Sequence, residues 1–287
     1  RATRGVIVSA GTLGSPKLLM LSGIGDGDEL ARVGVETRIH LPGVGRNYQD
    51  HLQALNYFRT RRPISLLGQD KGLQAVRHGL EWKLFRRGLL TSNVGESCAF
   101  VDFDGDGRSD VQIHAFPVFV PDHERAPPDG HGLTLAPCDL RPKSRGVVSL
   151  RGPDPHLPIR LVANALSHEA DVANLVRGLK LTRRIARAPA LAAHIERELA
   201  IDLPEDAPDR ELEAYVRAYV KTVYHPVGTC RMGTDDDAVV GPDLAVRGAE
   251  RLFVIDASVM PALPSGNTNA PTLMIAEKAA DMLKARG

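Results

Sequence analysis

The sequence predicts an α/β (α+β) fold in which strands and helices alternate at both ends of the chain around a central antiparallel sheet flanked by helices. Three patterns indicate this. An apolar, β-branched run at residues 5–11 leads directly into a helical segment, residues 111–116 alternate in polarity, and residues 169–195 carry apolar side chains at three- and four-residue steps. The first pattern is typical of a buried strand in an open sheet, and the second of a half-buried strand.

The first strand and helix are predicted as one unit. Residues 5–11 are expected to form a buried strand. Ser15 is predicted to cap the helix that follows, Pro16 to occupy its first turn and Gly23 to end it. A strand that enters a helix through a glycine-containing turn, here at Gly11, presents backbone N–H groups to a phosphate. A purely structural strand–helix unit explains the pattern equally well.

The other elements follow from apolar periodicity and turn residues. Turns are predicted at 104–107 and 126–130, strands at 111–116, 147–150 and 251–256, and helices at 169–195, 211–223 and 272–283. The region 60–145 is therefore expected to form the antiparallel sheet with its flanking helices.

Composition is that of a globular protein with a core. Of 287 residues, 43% are hydrophobic, and 36 Lys and Arg against 35 Asp and Glu give a net charge of +1. This balance gives no indication of a nucleic acid or an anionic membrane as partner. No apolar run approaches the roughly 18 residues of a spanning helix. Residues 1–4 lack an initiator Met and a signal pattern, so we expect the chain to begin within a domain.

The three cysteines, Cys98, Cys138 and Cys230, are widely spaced and odd in number. They lack the CxxC spacing of a zinc site and do not form a disulfide framework. The sequence therefore predicts no metal site, and a reducing compartment.

A histidine in a glycine-bounded loop is the first candidate for chemistry. Pro226 steers His225 away from helical geometry, while Gly228 and Gly233 allow the chain to run close to something flat or bulky. Such a histidine is often a hydrogen-bonded structural residue. As a neutral imidazole it can instead act as a general base for an alcohol proton. These residues alone leave both interpretations open.

The second candidate follows the predicted strand at 251–256. Asp256 ends this strand, where open α/β sheets bind ligands, and Asn267 and Asn269 lie just before a helix. The two asparagines are either turn and cap residues or amide groups that contact a ligand.

Five segments together resemble the glucose–methanol–choline (GMC) oxidoreductases, in that family's order and over nearly the whole chain. They are residues 11–25 (GTLGSPKLLMLSGIG), 41–51 (LPGVGRNYQDH), 144–146 (SRG), 224–233 (YHPVGTCRMG) and 256–274 with Asp256 and Asn267. The resemblance is strongest to choline dehydrogenase-like alcohol dehydrogenases, of which it covers about the second half. It implies the C-terminal part of a FAD-binding Rossmann-like domain at residues 1–55 and 221–287, and a substrate-binding domain at 56–220.

The resemblance also implies FAD as cofactor and oxidation of a primary alcohol to the aldehyde by hydride transfer to flavin N5. His225 matches the catalytic histidine, and Asn267 matches its partner, which is His or Asn in relatives. The positions implied to contact the cofactor are Asp256, Ala257, Asn269, Pro271 and, in the first turn, Gly11. Glu96 resembles a glutamate of the substrate pocket in choline-oxidising relatives, and a surface ion pair explains it equally well.

One expected motif is missing from the sequence. The Gly-x-Gly-x-x-Gly turn that holds the ADP part of FAD does not occur here, because Gly23-Ile24-Gly25 is followed by Asp26-Gly27-Asp28. The alternatives are therefore a truncated, non-catalytic fragment or a GMC-fold oxidase or hydroxynitrile lyase. For a working enzyme we expect an alcohol substrate, a missing N-terminal FAD-binding part, and a quinone or another carrier as electron acceptor. The expected location is the cytoplasm or the periphery of the inner membrane.

Overall fold

A computed structural model describes residues 2–121, 128–199, 203–204 and 207–285. Its helices are α1 (Gly11–Leu21), α2 (Gly27–Arg32), α3 (Gly72–Phe85), α4 (Glu169–Arg187), α5 (Pro189–Ala192), α6 (Asp209–Tyr219) and α7 (Asn269–Lys284). Its strands are β1 (Val6–Val8), β2 (Ile24–Gly25), β3 (Ile39–His40), β4 (Leu52–Gln53), β5 (Asn56–Thr60), β6 (Ser97–Val101), β7 (Val111–Phe116), β8 (Gly132–Asp139), β9 (Val147–Ser149), β10 (Arg160–Val162), β11 (Ile195–Glu198), β12 (Lys221–Thr222) and β13 (Leu252–Val254). Short 3₁₀ turns lie at Leu89–Thr91 and Ala257–Val259.

The chain divides into two compact units. Unit 1 comprises Arg1–His51, Arg141–Asp171 and Thr222–Gly287, and unit 2 comprises Leu52–Leu140 and Val172–Lys221. These boundaries lie close to the predicted ones at 55 and 220. The exception is the segment 141–171, which the sequence assigned to the substrate-binding domain. It belongs to unit 1 because Val148 is fully buried in the core of that unit and its N–H donates to the Gly45 carbonyl at 2.7 Å.

In unit 1, β1 pairs in parallel with β13, from Val6 opposite Leu252 to Val8 opposite Val254. The two strands are thus where the sequence predicted them. The expectation of a buried first strand is wrong, since Val6 and Ile7 are 50% and 53% exposed. In the described part of the chain β1 pairs with β13 alone, so it is not a central strand of a larger parallel sheet, in which helices would bury both faces.

Helix α1 begins at Gly11, five residues before the predicted first position, and places Pro16 in its interior. Proline lacks the N–H that would bond to the Thr12 carbonyl one turn earlier. The Thr229 hydroxyl replaces it, donating to the Thr12 carbonyl at 2.5 Å. Ser15 is therefore not the cap, whereas Gly23 follows the helix end with φ of 82°, as its position predicts.

Unit 2 is built on the predicted antiparallel sheet. Seven strands run in the order β11-β5-β8-β4-β12, with β7 also pairing β8 and β6 pairing β7. Strand β7 spans the predicted residues 111–116. Helix α4 packs Leu181, Ile185 and Ala186 against one face of the sheet. It ends at Arg187, earlier than predicted, because Pro189 disfavours helical geometry in the residue before it.

The predicted turn at 104–107 is held by the Asp102 carboxylate, which accepts the Gly105 and Gly107 N–H groups at 2.7 and 2.8 Å. Part of the turn predicted at 126–130 lies outside the described residues. Helix α6 begins two residues before and ends four residues before its predicted bounds. Within the described ranges, no helix combines the length and apolarity needed to cross a bilayer.

Candidate active site

Backbone hydrogen bonds fix the segment that carries His225. Val227 and Gln49 exchange both of their N–H···O=C bonds, at 2.9 and 3.1 Å, which holds the histidine segment against residues 47–51 of the same unit. Tyr224 adopts the left-handed conformation, with φ of 63°. That conformation is costly for a bulky residue, and the hydrogen bond from its N–H to the Thr222 hydroxyl at 2.8 Å helps to hold it. The chain thus turns sharply just before His225.

The Asp50 carboxylate clamps this turn. Its Oδ1 accepts the His225 N–H at 2.9 Å, and its Oδ2 accepts the hydroxyl groups of Tyr48 and Thr222. Burial raises the pKa of Asp50, and the three hydrogen bonds oppose that rise because they stabilise the charged form. Burial, and to a smaller extent the same carboxylate, raise the pKa of the Tyr48 hydroxyl. Asp50 therefore joins two segments that are 175 residues apart.

The ring of His225 contacts the ring of His51. Their Nδ1 atoms lie 3.0 Å apart, and the rings meet edge to face at 81°, with centroids 5.2 Å apart. A hydrogen bond between two Nδ1 atoms needs one of them protonated and the other not. Burial lowers the pKa of His225, while the charge of Asp50 opposes that effect. Burial therefore favours the neutral form of the His225 imidazole, which is the form that can accept a proton.

Asp256 makes a second carboxylate-centred junction in unit 1. Its Oδ2 accepts the Gly11 N–H at 2.9 Å and the Ser15 hydroxyl at 2.5 Å, and its Oδ1 accepts the Ser258 N–H at 2.8 Å. The residue is only 7% exposed. Gly11, expected to face a phosphate, thus directs its N–H to Asp256 instead. A carboxylate has about four acceptor positions, so roughly one on Oδ1 is left for a ligand.

Asn267 precedes α7, and Asn269 and Pro271 lie in the first turn of that helix. Both asparagines are exposed. The cap residue Thr268 makes no side-chain hydrogen bond to the helix, and the first turn contains no acidic residue. The first turn of α7 therefore presents backbone N–H groups and contains no carboxylate, and the two amides lie beside it.

Gln49 connects the two candidate segments. Beside its backbone pairing with Val227, its side chain accepts the Leu263 N–H and donates to the Pro261 carbonyl, each at 3.2 Å. In addition, the Gly228 N–H donates to the Ala257 carbonyl at 3.4 Å. The structure thus brings together the loops that carry His225, Ala257 and, a few residues further on, Asn267.

Glu96 lies in unit 2, at the wall of a cavity of about 580 Å³. The lining is mainly apolar and includes Phe116, Leu133 and Leu135 from the sheet. A largely apolar cavity with few polar groups is typical of a small-molecule site. Contact between Glu96 and a substrate stays a prediction.

Sequence reasoning assigned no role to Asp50, His51, Tyr48 or Thr222. Asp50, His51 and Tyr48 lie within one segment of the GMC resemblance. The one local signal that could have drawn attention to them is the consecutive carboxylate and imidazole of Asp50 and His51. Their partner His225 is remote in sequence, so no spacing pattern could connect them. The described residues contain no cluster of three or more His, Cys, Asp or Glu that could hold a metal ion, and none of the three cysteines takes part in a disulfide.

Comparison with known families identifies the class of protein. Residues 1–53 match the N-terminal model of the GMC oxidoreductases, and residues 142–276 match the C-terminal model. The chain belongs to the GMC oxidoreductase family.

Among curated relatives, the chain is 43% identical over 283 residues to an alcohol dehydrogenase (acceptor) of Pseudomonas putida, covering 97% of this chain and 50% of that protein. It is 41% identical to the mitochondrial choline dehydrogenase of Homo sapiens, covering 99% of this chain and 48% of that one. The chain thus spans about half the length of the curated relatives it matches.

Solved structures agree on the fold. A pyridoxine 4-oxidase from Mesorbium loti is 33% identical with a TM-score of 0.83, over 96% of this chain and 50% of that one. A formate oxidase variant from Aspergillus oryzae is 28% identical with a TM-score of 0.92, over 99% of this chain and 55% of that one.

Proposed function

We propose that this chain carries the catalytic residues of a FAD-dependent enzyme that oxidises a primary alcohol to the aldehyde. The observation that supports this most strongly is the environment of His225, which fixes its backbone and favours its neutral form. Its backbone is clamped by Asp50, its Nδ1 lies 3.0 Å from that of His51, and burial keeps the imidazole neutral. Family membership and the alcohol and choline dehydrogenases among its relatives support the same reaction class.

The residues present fit part of FAD. The first turn of α7 offers N–H groups and contains no acidic residue, which suits the electron-rich edge of a flavin, and a Cβ added at Gly266 would meet no atom within 4 Å. Asn269, Pro271 and Ala257 would line the flavin, and the last acceptor position of Asp256 would suit a hydroxyl of the ribityl chain. Bound there, FAD would accept the hydride that leaves the alcohol carbon.

The protein's own part in the reaction is to take a proton and fix an oxygen. Nε2 is free to act as base when His225 carries its proton on Nδ1 and donates it to the His51 Nδ1. His225 then accepts the hydroxyl proton on Nε2 and becomes an imidazolium. Asp50 stabilises its positive charge, and its Nδ1–H still donates to the His51 Nδ1. Asn267 would hydrogen-bond the same substrate oxygen and hold it in place. The carbon loses one hydride, the oxygen loses one proton, and the product is an aldehyde.

Two of the structural neighbours are oxidases by name, so the second electron acceptor is part of the proposal. We propose a dehydrogenase that passes electrons to a carrier such as a quinone rather than to oxygen, because the two relatives described above, at 43% and 41% identity, are named alcohol dehydrogenase (acceptor) and choline dehydrogenase.

The test uses the full-length protein. We expect the purified protein to show flavin absorbance. We also expect it to form aldehydes from primary alcohols when an artificial electron acceptor is supplied. Peroxide formation in air at a comparable rate would indicate an oxidase instead. A colourless protein that takes up no added FAD would contradict the proposal.

A further inference from the structure

Unit 1 contains a cavity of about 340 Å³ that is lined by other residues than the candidate active site. Its wall is formed by α1, α2, Arg46 and the hairpin of β9 and β10, all of which belong to unit 1. The volume is at the lower end of the range of about 300–1,000 Å³ that is typical of small-molecule sites. It is named here the hairpin cavity.

Part of the lining of the hairpin cavity is apolar and held in place by the core. Met20, Leu30 and Leu150 line it with side chains that are 4%, 2% and 8% exposed, and all three belong to the core of unit 1. Val147 and Val162, which are opposite each other in the hairpin, line it as well. A ligand in the cavity would therefore contact apolar side chains whose positions are fixed by packing.

One face of the hairpin is turned towards the cavity. Arg160 and Val162 on β10 are opposite Ser149 and Val147 on β9, and all four residues line the cavity. Side chains two residues apart on a strand lie on the same face, so the side chain of Arg160 lies beside that of Val162. Leu161, between them, belongs to the other face of the hairpin.

Positive charge exceeds negative charge in the lining. It contains the guanidinium groups of Arg32, Arg46 and Arg160 and one carboxylate, that of Glu29. The Arg46 Nη2 lies 2.6 Å from the Glu29 Oε1 and 3.7 Å from the Asp26 Oδ2, whereas the Arg32 Nη2 lies 4.0 Å from the same Glu29 oxygen. The side chain of Arg160 makes no ion pair or hydrogen bond with any residue that the structure describes. Arg46 is thus neutralised, while Arg32 and Arg160 are available to an anion.

We propose that the hairpin cavity binds an organic carboxylate with a short apolar chain. The carboxylate would accept hydrogen bonds from Arg160 and Arg32, since guanidinium groups bind carboxylates through paired N–H donors. The chain would lie against Met20, Val147 and Val162. The apolar lining favours such an anion over inorganic phosphate, which would leave these side chains without a partner. The site does not depend on the proposed reaction.

The test measures binding of hexanoate to the full-length protein by isothermal titration calorimetry. Hexanoate should bind and raise the melting temperature, because a ligand of the folded state stabilises that state. Hexylammonium, which has the same chain and the opposite charge, should not compete with hexanoate. Acetate and inorganic phosphate should compete at least about tenfold more weakly than unlabelled hexanoate, because neither covers the apolar lining.

Substitutions of arginine test the charged part of the site. Arg160→Ala should weaken hexanoate binding at least about tenfold, because the carboxylate loses charge-assisted hydrogen bonds. Arg160→Lys should weaken it less, since lysine keeps the charge and loses the paired donors. Arg38→Ala removes an exposed arginine of the same unit that does not line the cavity, so binding should stay unchanged.

Two neighbouring positions on β10 test the apolar part. Val162→Ser should weaken hexanoate binding at least about threefold, because the chain loses apolar contact. Leu161→Ser is the matched control, since Leu161 is 40% exposed against 36% for Val162 and lies on the other face of the hairpin. It should leave binding unchanged.

Three results would overturn the proposal. Absence of hexanoate binding would do so directly. Competition by inorganic phosphate as strong as that by hexanoate would show that the apolar lining contacts no ligand. Unchanged hexanoate affinity in both Arg160→Ala and Val162→Ser would place the bound hexanoate elsewhere in the protein, the candidate active site included. Flavin content and turnover enter none of these measurements, so a failure of the proposed reaction would be seen separately.

Discussion

The candidate site residues of the two units lie in different surroundings. In unit 1, two carboxylates join distant segments: Asp50 ties residues 47–51 to His225, and Asp256 ties the start of α1 to the end of β13. In unit 2, Glu96 lies at the wall of a mainly apolar cavity in which it is one of few polar groups. We therefore expect substitutions in unit 1 to change the reaction rate or the free energy of unfolding. Substitutions at the cavity of unit 2 should instead change the affinity for the substrate.

The largest effect is expected from His225→Ala. Removing a positioned general base typically costs about a hundred- to ten-thousand-fold in rate, so kcat of the full-length enzyme should fall at least about a hundredfold. His156→Ala, which removes an exposed imidazole in a turn of the same unit, is the control and should leave kcat unchanged. Near-normal turnover in His225→Ala would show that His225 is not the general base.

Asp256→Ala should cost stability. It leaves two N–H groups and one hydroxyl without their buried acceptor, so the free energy of unfolding should fall by about 2–4 kcal/mol, measured by urea denaturation. Asp154→Ala removes an exposed carboxylate that accepts one N–H at 2.8 Å and should cost under about 1 kcal/mol. Unchanged unfolding together with lost FAD affinity would show that Asp256 serves the cofactor rather than the fold.

Asp50→Asn should shift a pH profile. The charge of Asp50 raises the pKa of His225 against the lowering effect of burial, so the neutral variant should have a lower His225 pKa. His225 acts as base only when unprotonated, hence the acidic limb of kcat/KM should move to lower pH. An unchanged limb, or a shift to higher pH, would contradict the clamp. The exposed Asp28→Asn is the control and should not move it.

The smallest effect is expected from Glu96→Gln. An exposed charge contributes at most about 1 kcal/mol, so KM for a cationic alcohol should rise about fivefold or less. KM for an uncharged alcohol of the same shape should stay the same, which makes the second substrate the internal control. Equal changes for both would mean that Glu96 does not recognise charge.

Much of the fold could be predicted because local patterns specify it. Strand β7 alternates visibly, and the elements around β1, β13 and α7 lie where apolar periodicity indicated. The start of α1 could not be predicted, since Pro16 inside a helix is tolerated here only through a hydroxyl contributed by Thr229, far along the chain. The exposure of Val6 and Ile7 also escaped prediction, because a β-branched strand reads as buried whatever neighbours it has.

For the candidate site, motif resemblance singles out His225 and Asn267, whereas it assigns no role to the residues that surround His225. Asp50 is a single carboxylate in a loop until the fold places it beside the His225 N–H. The exposure of Leu73 and Leu84 on α3 is likewise invisible to periodicity, which records how apolar residues are spaced on a helix and not what packs against them.

The central claim is that His225, held neutral by its surroundings, takes the alcohol proton. Anaerobic rapid mixing of the FAD-loaded, full-length enzyme with a primary alcohol at a series of pH values tests it most directly. The account predicts a rate of flavin bleaching that rises with pH to a plateau in the wild type, and a rate at least about a hundredfold slower and independent of that ionisation in His225→Ala. The same pH-dependent rise in both proteins would contradict it.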